Sequence, residues 1–237
     1  MMTAQEILTA LKPLGRESYK RMMMKNHGVR EPCDGVPIGE LKVFQKRIKK
    51  DYQLALDLYA TGHYDAMYLA GLIADDARMT REDLSRWVEQ AYAGALIGAT
   101  VPWVAAGSVH GWELAREWIG SAQPLTAAAG WATLGSLVSI TPDAALDLPE
   151  LRRLLERVPQ EIHAAPDGVR YQMNHFVIAA GCYVPALTEL ALQLAETMGP
   201  VTAHLGENSC EVFYAPDYIR KAQARGTIGK KRKSAKC

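Results

Sequence analysis

Two apolar stripes that meet at a glycine constrain this chain more than any other feature. Between Leu54 and Asp75, the residues Leu54, Ala55 and Leu58 recur at helical spacing up to Gly62, and Tyr64, Met67, Tyr68, Gly71 and Leu72 do so beyond it. The pattern predicts a helical hairpin. Gly62 suits a left-handed helix end, and Asp65 in the following first turn suits the positive end of a helix dipole. Neither helix can bury its stripe alone, so the hairpin requires further helices stacked on either side.

The rest of the chain supplies them. Thr3-Ala-Gln-Glu6 is a capping box, and Ile7, Leu8 and Leu11 follow at helical spacing. Arg16 to His27 is a basic, Met-rich helical segment stopped by Gly28, with Met22, Met23 and Met24 as core filler. Val29 to Pro37 reads as a loop. Ile38, Leu41, Phe44, Gln45 and Ile48 form a stripe backed by Lys42, Lys46, Arg47, Lys49 and Lys50, a helix with a cationic outer face. A second capping signal, Thr80-Arg-Glu-Asp83, precedes Leu84, Trp87 and Val88. A short helix follows at Trp112 to Trp118, then a helix from Pro124 to Thr141 and a charged amphipathic one from Asp147 through Val158. Stripes at Val169 to Val177 and Pro185 to Met198 complete the series before Gly199-Pro200. Pro200 to Tyr214 reads as extended or irregular, and Asp217 to Ala224 as a final short helix.

Composition limits the classes open to such a chain. With 237 residues, 49% hydrophobic and 22% charged, it can bury a sizeable core. Cys33, Cys182, Cys210 and Cys237 contain no C-x-x-C pair, which argues against a zinc site or a disulfide framework and suits a reducing cytoplasm. Met1 to Lys20 lacks the apolar core of a signal peptide. Gln90 to Val109 and Ser121 to Pro142 are long and uncharged, but rich in Ala, Gly, Ser and Thr rather than Leu or Ile. They read as helices buried at the centre of an array, not as membrane spans.

Charge is unevenly distributed. The net charge is +1, yet Arg225, Lys230, Lys231, Arg232, Lys233 and Lys236 stand in the last thirteen residues with no acid among them. That leaves 21 bases against 26 acids elsewhere, a body of −5 and a tail of +6. A basic end of this density reads as a polyanion contact, and alternatively as a solvated tail with no partner. The boundaries expected are therefore a single helical-repeat domain over 1–224 and a basic tail over 225–237.

Helices paired at roughly forty-residue intervals without a strict repeat describe an all-α, HEAT-like solenoid rather than a bundle. Such arrays curve, and cationic helices lining the concave face would select nucleic acid.

With these residues in hand, the chain resembles the AlkD-like DNA alkylation repair family. The resemblance is carried by Leu54-Ala-Leu-Asp-Leu with Thr61-Gly-His-Tyr-Asp-Ala-Met-Tyr-Leu-Ala-Gly-Leu-Ile73, by His163-Ala-Ala-Pro-Asp-Gly-Val-Arg-Tyr-Gln-Met-Asn174, and by Tyr218-Ile-Arg-Lys221 with Lys230-Lys-Arg-Lys233 and Cys237. It covers nearly the whole chain. In the tail pattern Cys210, Val212, Ala215, Tyr218, Ile219 and Lys221 match, whereas Glu211, Phe213 and Tyr214 depart from the basic residue and proline expected.

The resemblance implies a HEAT-like array holding duplex DNA, and in active members release of a cationic N3- or N7-alkylated purine. Positive charge then develops on the sugar, and a carboxylate, aromatic faces and a phosphate-holding arginine stabilise it. Family members place a Trp and, four residues later, an Asp on one helix, an Arg on a following helix and a second Trp further on. Here Trp103 matches the first aromatic, but the acid position is Gly107. The arginine position falls in Thr126-Ala-Ala-Ala-Gly-Trp131, and His175, or Phe176 one residue on, stands for the second Trp.

Glu113 near Trp112 and His110, or Asp143, could supply a displaced acid. The candidate catalytic set is thus Trp103, Glu113 and His175. The candidate DNA contacts are Lys42, Lys46, Lys49, Arg170, Arg225, Lys230, Lys231, Arg232 and Lys233. Trp103, Trp112, Trp118 and Trp131 read more readily as core packing in a helical array than as a base-recognition cluster. No metal and no cofactor is expected, and the protein is expected to act as a monomer on double-stranded, alkylated or structured DNA. Three functions follow: a glycosylase with rearranged residues, a non-catalytic DNA-binding relative, or a HEAT-type scaffold for another protein. The missing acid and arginine favour the second, and Asp at 107 with Arg at 128 would restore only part of the first.

Overall fold

A computed structural model describes residues 2–206 and 212–236, and among these every regular element is helical. Cys210, Glu211 and Cys237, named in the tail pattern, lie outside the described residues. Two compact units emerge. Of the described residues, the first takes in 2–110, 205, 206 and Lys236, and the second 111–204 and 212–235.

The first unit holds α1 (Ala4–Leu11), α2 (Glu17–His27), α3 (Ile38–Ile48), α4 (Tyr52–Ala60), α5 (Tyr64–Ile73), α6 (Arg81–Gln90) and α7 (Val101–Gly107). Both capping boxes form: Thr3 Oγ1 accepts from Glu6 N at 3.2 Å, and Thr80 Oγ1 from Asp83 N at 3.1 Å. α4 and α5 are the expected hairpin, turned at Gly62 with φ 68°, a left-handed value that costs glycine least. Every residue of α5 is buried, so this helix is the centre of the unit.

Gly71 explains how α5 admits its neighbour, since a Cβ there would come 2.5 Å from Thr100 Cγ2. Thr100 ends a π-helical turn, Leu96–Thr100, that leads into α7. The stretch Gln90 to Val109 is therefore buried but broken, with Pro102, which lacks an N–H, at the start of α7. Of the three consecutive methionines only Met23 is buried, and Met24 is exposed.

The second unit holds α8 (Gly111–Trp118), α9 (Pro124–Ile140), α10 (Leu148–Glu161), α11 (Asp167–Tyr183), α12 (Thr188–Met198) and α13 (Ala215–Ala224). α11 packs against α9, α12 and α13. Small residues set these approaches: a Cβ at Gly130 would lie 2.6 Å from Ile119 N, and one at Gly181 would lie 2.6 Å from Ile219 Cδ1. Asp147 caps α10 by accepting from Glu150 N at 3.0 Å. Residues 201–206 and 212–214 carry no helix, as expected.

The basic end is not a free tail. Gly229 N donates to Cys182 O at 2.9 Å and Arg232 N to Ser139 O at 2.8 Å, and Ala235 is buried. Among the described residues no single helix is long and apolar enough to cross a membrane.

Candidate functional site

α7 places Trp103 and Gly107 about one turn apart, on one face of the helix. Trp103 is half-buried and meets Tyr68 edge-on, with ring centroids 5.8 Å apart. At Gly107 the side-chain space is taken: a Cβ there would lie 2.5 Å from Asp76 Oδ2 and 2.8 Å from Asp76 Cβ and Cγ. Asp76 opens the short 3-10 turn Asp76–Arg78 that follows α5. Its Oδ1 stands 2.7 Å from the ammonium of Lys236, which also donates to Ala74 O at 2.7 Å.

Burial pushes the Asp76 carboxyl above its usual range and the Lys236 ammonium below its own, and in each case the partner's charge opposes the shift. A carboxylate thus occupies the volume a side chain at 107 would need, delivered by a different element. Nothing in the spacing of Asp76 signals this, beyond its place in the doublet Asp75-Asp76. Ala128, in the Thr126–Trp131 stretch where an arginine is expected, is 2% exposed within α9, so a guanidinium there would have to displace packed neighbours.

Glu113 lies in the first turn of α8 and His175 midway along α11. His175 stacks obliquely on Tyr171 at 4.3 Å and meets Phe213 at 5.9 Å, and Phe213 reaches Tyr218 at 5.2 Å. Burial lowers the His175 pKa, which favours the neutral ring, and its Nε2 is buried with no hydrogen-bond partner among the described residues. His175 is therefore one member of an aromatic row. Trp103 belongs to the first unit, whereas Glu113 and His175 belong to the second.

The candidate cations divide into two groups. Lys46 and Lys49 are exposed and Lys42 partly so, at α3 and its end in the first unit. In the second unit Arg170 is spent on its own backbone, donating to Thr202 O at 2.8 Å, His163 O at 3.2 Å and Ala165 O at 2.9 Å. Lys231 is likewise held, 2.8 Å from Asp143 Oδ1 and donating to Val138 O at 2.9 Å. Arg225, Lys230, Arg232 and Lys233 remain exposed.

Three of these four line one pocket. A cleft of about 370 Å³ is bounded by Lys221, Arg225, Lys230 and Arg232, with Tyr183 and Tyr218 at its sides and Ile178 and Cys182 among its apolar lining. No carboxylate is among the described residues that line it. Burial pushes the Cys182 thiol up to about 11, so it stays protonated and uncharged at neutral pH. Lys221 and Tyr218 are part of the pocket that charge counting in the tail alone does not reach, because they sit on α13.

One further cluster is structural. The buried Asp65 carboxylate accepts from the backbone N–H groups of Asp34 at 2.8 Å, Gly35 at 3.1 Å and Val36 at 3.0 Å, fastening the 28–37 loop to α5. His63 Nε2 lies 3.1 Å from Asp34 Oδ2, so Asp34, His63 and Asp65 have the donor types a metal would need. Asp65 is already engaged by three N–H donors and, at 3.6 Å, by the Cys33 thiol, whose pKa burial raises to about 12. That engagement leaves little donor capacity for an ion.

These features define an all-α protein of stacked helices whose accessible polar surface is marked by a cationic, aromatic pocket. The chain belongs to the DNA alkylation repair enzyme family, whose model matches residues 7–204. It is 33% identical to a solved structure with which it superposes at a TM-score of 0.91, covering 100% of both chains. That protein is described as one of a new family related to the HEAT-like repeat DNA glycosylases with affinity for branched DNA structures. The expected HEAT-like helical array is thus the fold. Two uncharacterised proteins, Lin0241 of Listeria innocua serovar 6a and Lmo0209 of Listeria monocytogenes serovar 1/2a, are each 28% identical over 232 residues, covering 95% of this chain and 99% of theirs.

Proposed function

We propose that this protein is a DNA-binding member of its family that grips the phosphate backbone and favours branched or otherwise structured DNA. The observation that carries the reading is the cleft of Lys221, Arg225, Lys230 and Arg232, which gathers four cations with no carboxylate in its described lining. Lys42, Lys46 and Lys49 add a second cationic surface on the first unit. The solved relative's described affinity for branched DNA structures supports the same ligand class. In this reading the protein acts as a monomer in the cytoplasm.

The test is equilibrium binding of the full chain to a duplex and to a three-way junction over a salt series. Affinity should fall steeply, with a log–log slope near −0.9 for each phosphate contact. Salt-independent binding, or no binding at low salt, overturns the proposal.

A second reading, excision of alkylated purines, is favoured by one observation: Asp76 brings a carboxylate to the Gly107 position, one turn from Trp103. Such a group could stabilise the cationic sugar that develops as the base leaves. Lys236 already neutralises it, and no arginine occupies the 128 position, so release of 3-methyladenine or 7-methylguanine under single-turnover conditions should be weak or absent. Rapid release that is lost in Asp76→Asn, Trp103→Ala or Glu113→Ala would establish excision and identify its groups.

A further inference from the structure

Phosphate contacts by themselves do not report whether the bases between them are paired, because the backbone groups are the same in a branch and in a duplex. A protein that distinguishes them needs a group that reads something the duplex hides. Unpaired bases are such a feature, since their faces are free only where pairing and stacking are interrupted, and aromatic side chains are the groups that take them.

The second unit places such side chains beside its cationic cleft. Tyr171, His175, Phe213 and Tyr218 form a continuous row with centroid spacings of 4.3, 5.9 and 5.2 Å. The row ends at Tyr218, which is itself in the wall of the cleft. Two of its members are open, Phe213 at 47% exposed and Tyr218 at 45%, and Tyr214, next to Phe213 in the chain, is 37% exposed. Among the described residues these three are the exposed large aromatic side chains, and they fall within six positions of one another. Exposed aromatic surface of this kind costs free energy in an unliganded protein and concentrates where a partner covers it.

The support beneath them is fixed. Asn174 Nδ2 donates to Phe213 O at 2.9 Å, holding the backbone of the row against α11, and Gly229 N does the same for the cleft through Cys182 O at 2.9 Å. The His175 ring inside the row is kept neutral by burial, so the platform presents apolar faces while the cleft beside it presents charge. At about 370 Å³ the cleft is within the range of small-ligand sites, roughly 300–1,000 Å³.

We infer that the cleft and the row together form a site for one unpaired nucleotide at a DNA branch. Its phosphate is held by Lys221, Arg225, Lys230 and Arg232, and its base lies against Tyr218 and Phe213. This rests on the proposed DNA binding and goes beyond it by naming what the protein reads and with which side chains. Tyr218 and Phe213 are the specificity-determining residues, and the four cations set the overall affinity.

The experiment compares three DNAs of matched strand length: a duplex, a fully paired three-way junction, and the same junction with two unpaired thymines at the branch. The unpaired junction should bind more tightly by roughly 5- to 150-fold, the scale expected for stacking one base. A 2-aminopurine at the unpaired position should be quenched on binding. Tyr218→Ala should remove the preference and the quenching, lowering affinity for the unpaired junction far more than for the duplex, and Tyr218→Phe should retain both. Arg225→Ala with Lys230→Ala should weaken all three DNAs alike and flatten the salt slope.

A Tyr218→Ala, Phe213→Ala double variant that keeps preference and quenching overturns the inference and leaves DNA binding standing. Absence of salt-sensitive binding by the unaltered protein overturns both. Thymidine monophosphate saturating the site as tightly as the junction also overturns it, because the cleft would then serve a free nucleotide.

Discussion

Asp76 and Gly107 share one volume: the Asp76 carboxylate lies where the side chain of any other residue at 107 would begin, with Oδ2 2.5 Å from the Cβ position. The absence of a side chain at 107 and the presence of an acid at 76 are therefore one structural fact. The acid beside position 107 arrives from the turn after α5 and is already paired with Lys236.

Restoring the family pattern at 107 should consequently fail. Gly107→Asp forces two carboxyl groups into one space, so overpacking and like-charge repulsion should cost about 1–3 kcal/mol. Ala128→Arg would drive a guanidinium into a packed helix face. Thermal unfolding should show lowered stability for each, and single-turnover assays should show no gain in methylated-base release. A gain from the double variant would show that Asp76 and the α9 contacts yield readily.

Lys236 ties the end of the chain to Ala74 O and Asp76, both contacts being largely shielded from solvent. Lys236→Ala leaves the Asp76 carboxylate buried without its counter-charge, which should cost about 1–3 kcal/mol. Limited proteolysis should then cut the last residues faster than in the unaltered chain. Equal cleavage rates would mean that the neighbouring backbone bonds suffice to hold the end.

Asp65 closes the 28–37 loop with three backbone N–H bonds. Asp65→Ala strands all three donors in a buried place, so a loss of about 3 kcal/mol or more is expected in denaturant titration. Hydrogen exchange should localise the effect to Asp34, Gly35 and Val36.

The pH response of His175 has a definite sign. Burial lowers its folded pKa, so as pH falls through about 6.5 the unfolded chain takes up a proton that the folded one does not. Stability contributed by the neutral ring is present above that pH and lost below it. Denaturant midpoints between about pH 7.5 and 5.5 should fall less in His175→Phe than in the unaltered protein.

The basic end should respond residue by residue. Arg225→Ala and Lys230→Ala remove exposed cations of the cleft and should each reduce the salt slope of DNA binding by about 0.9. Lys231→Ala removes a side chain held by Asp143 and Val138 O, and should lower stability rather than the slope. Deleting 225–237 would mix the two effects, because Gly229 and Arg232 bond to Cys182 and Ser139 through their backbones.

The sequence by itself determined what depends on neighbours a few positions apart. The α4–α5 hairpin, the Thr3 and Thr80 capping boxes, the stop at Gly28 and the irregular stretch after Pro200 all follow from local periodicity and short-range hydrogen bonding. The number of apolar helical stripes then made a stacked helical array the available way to bury them. Tertiary structure decided which charges are spent. Arg170 and Lys231 read as phosphate contacts in the sequence, but carbonyls and an acid brought to them by the fold occupy them, and no local pattern encodes partners 32 or 93 residues away. The same holds for Asp76 at Gly107, for Lys236 at Asp76, and for the row from Tyr171 to Tyr218 that meets the cationic cleft. Each depends on where whole helices pack, and packing is set by the summed shape of many side chains rather than by the residues that end up side by side.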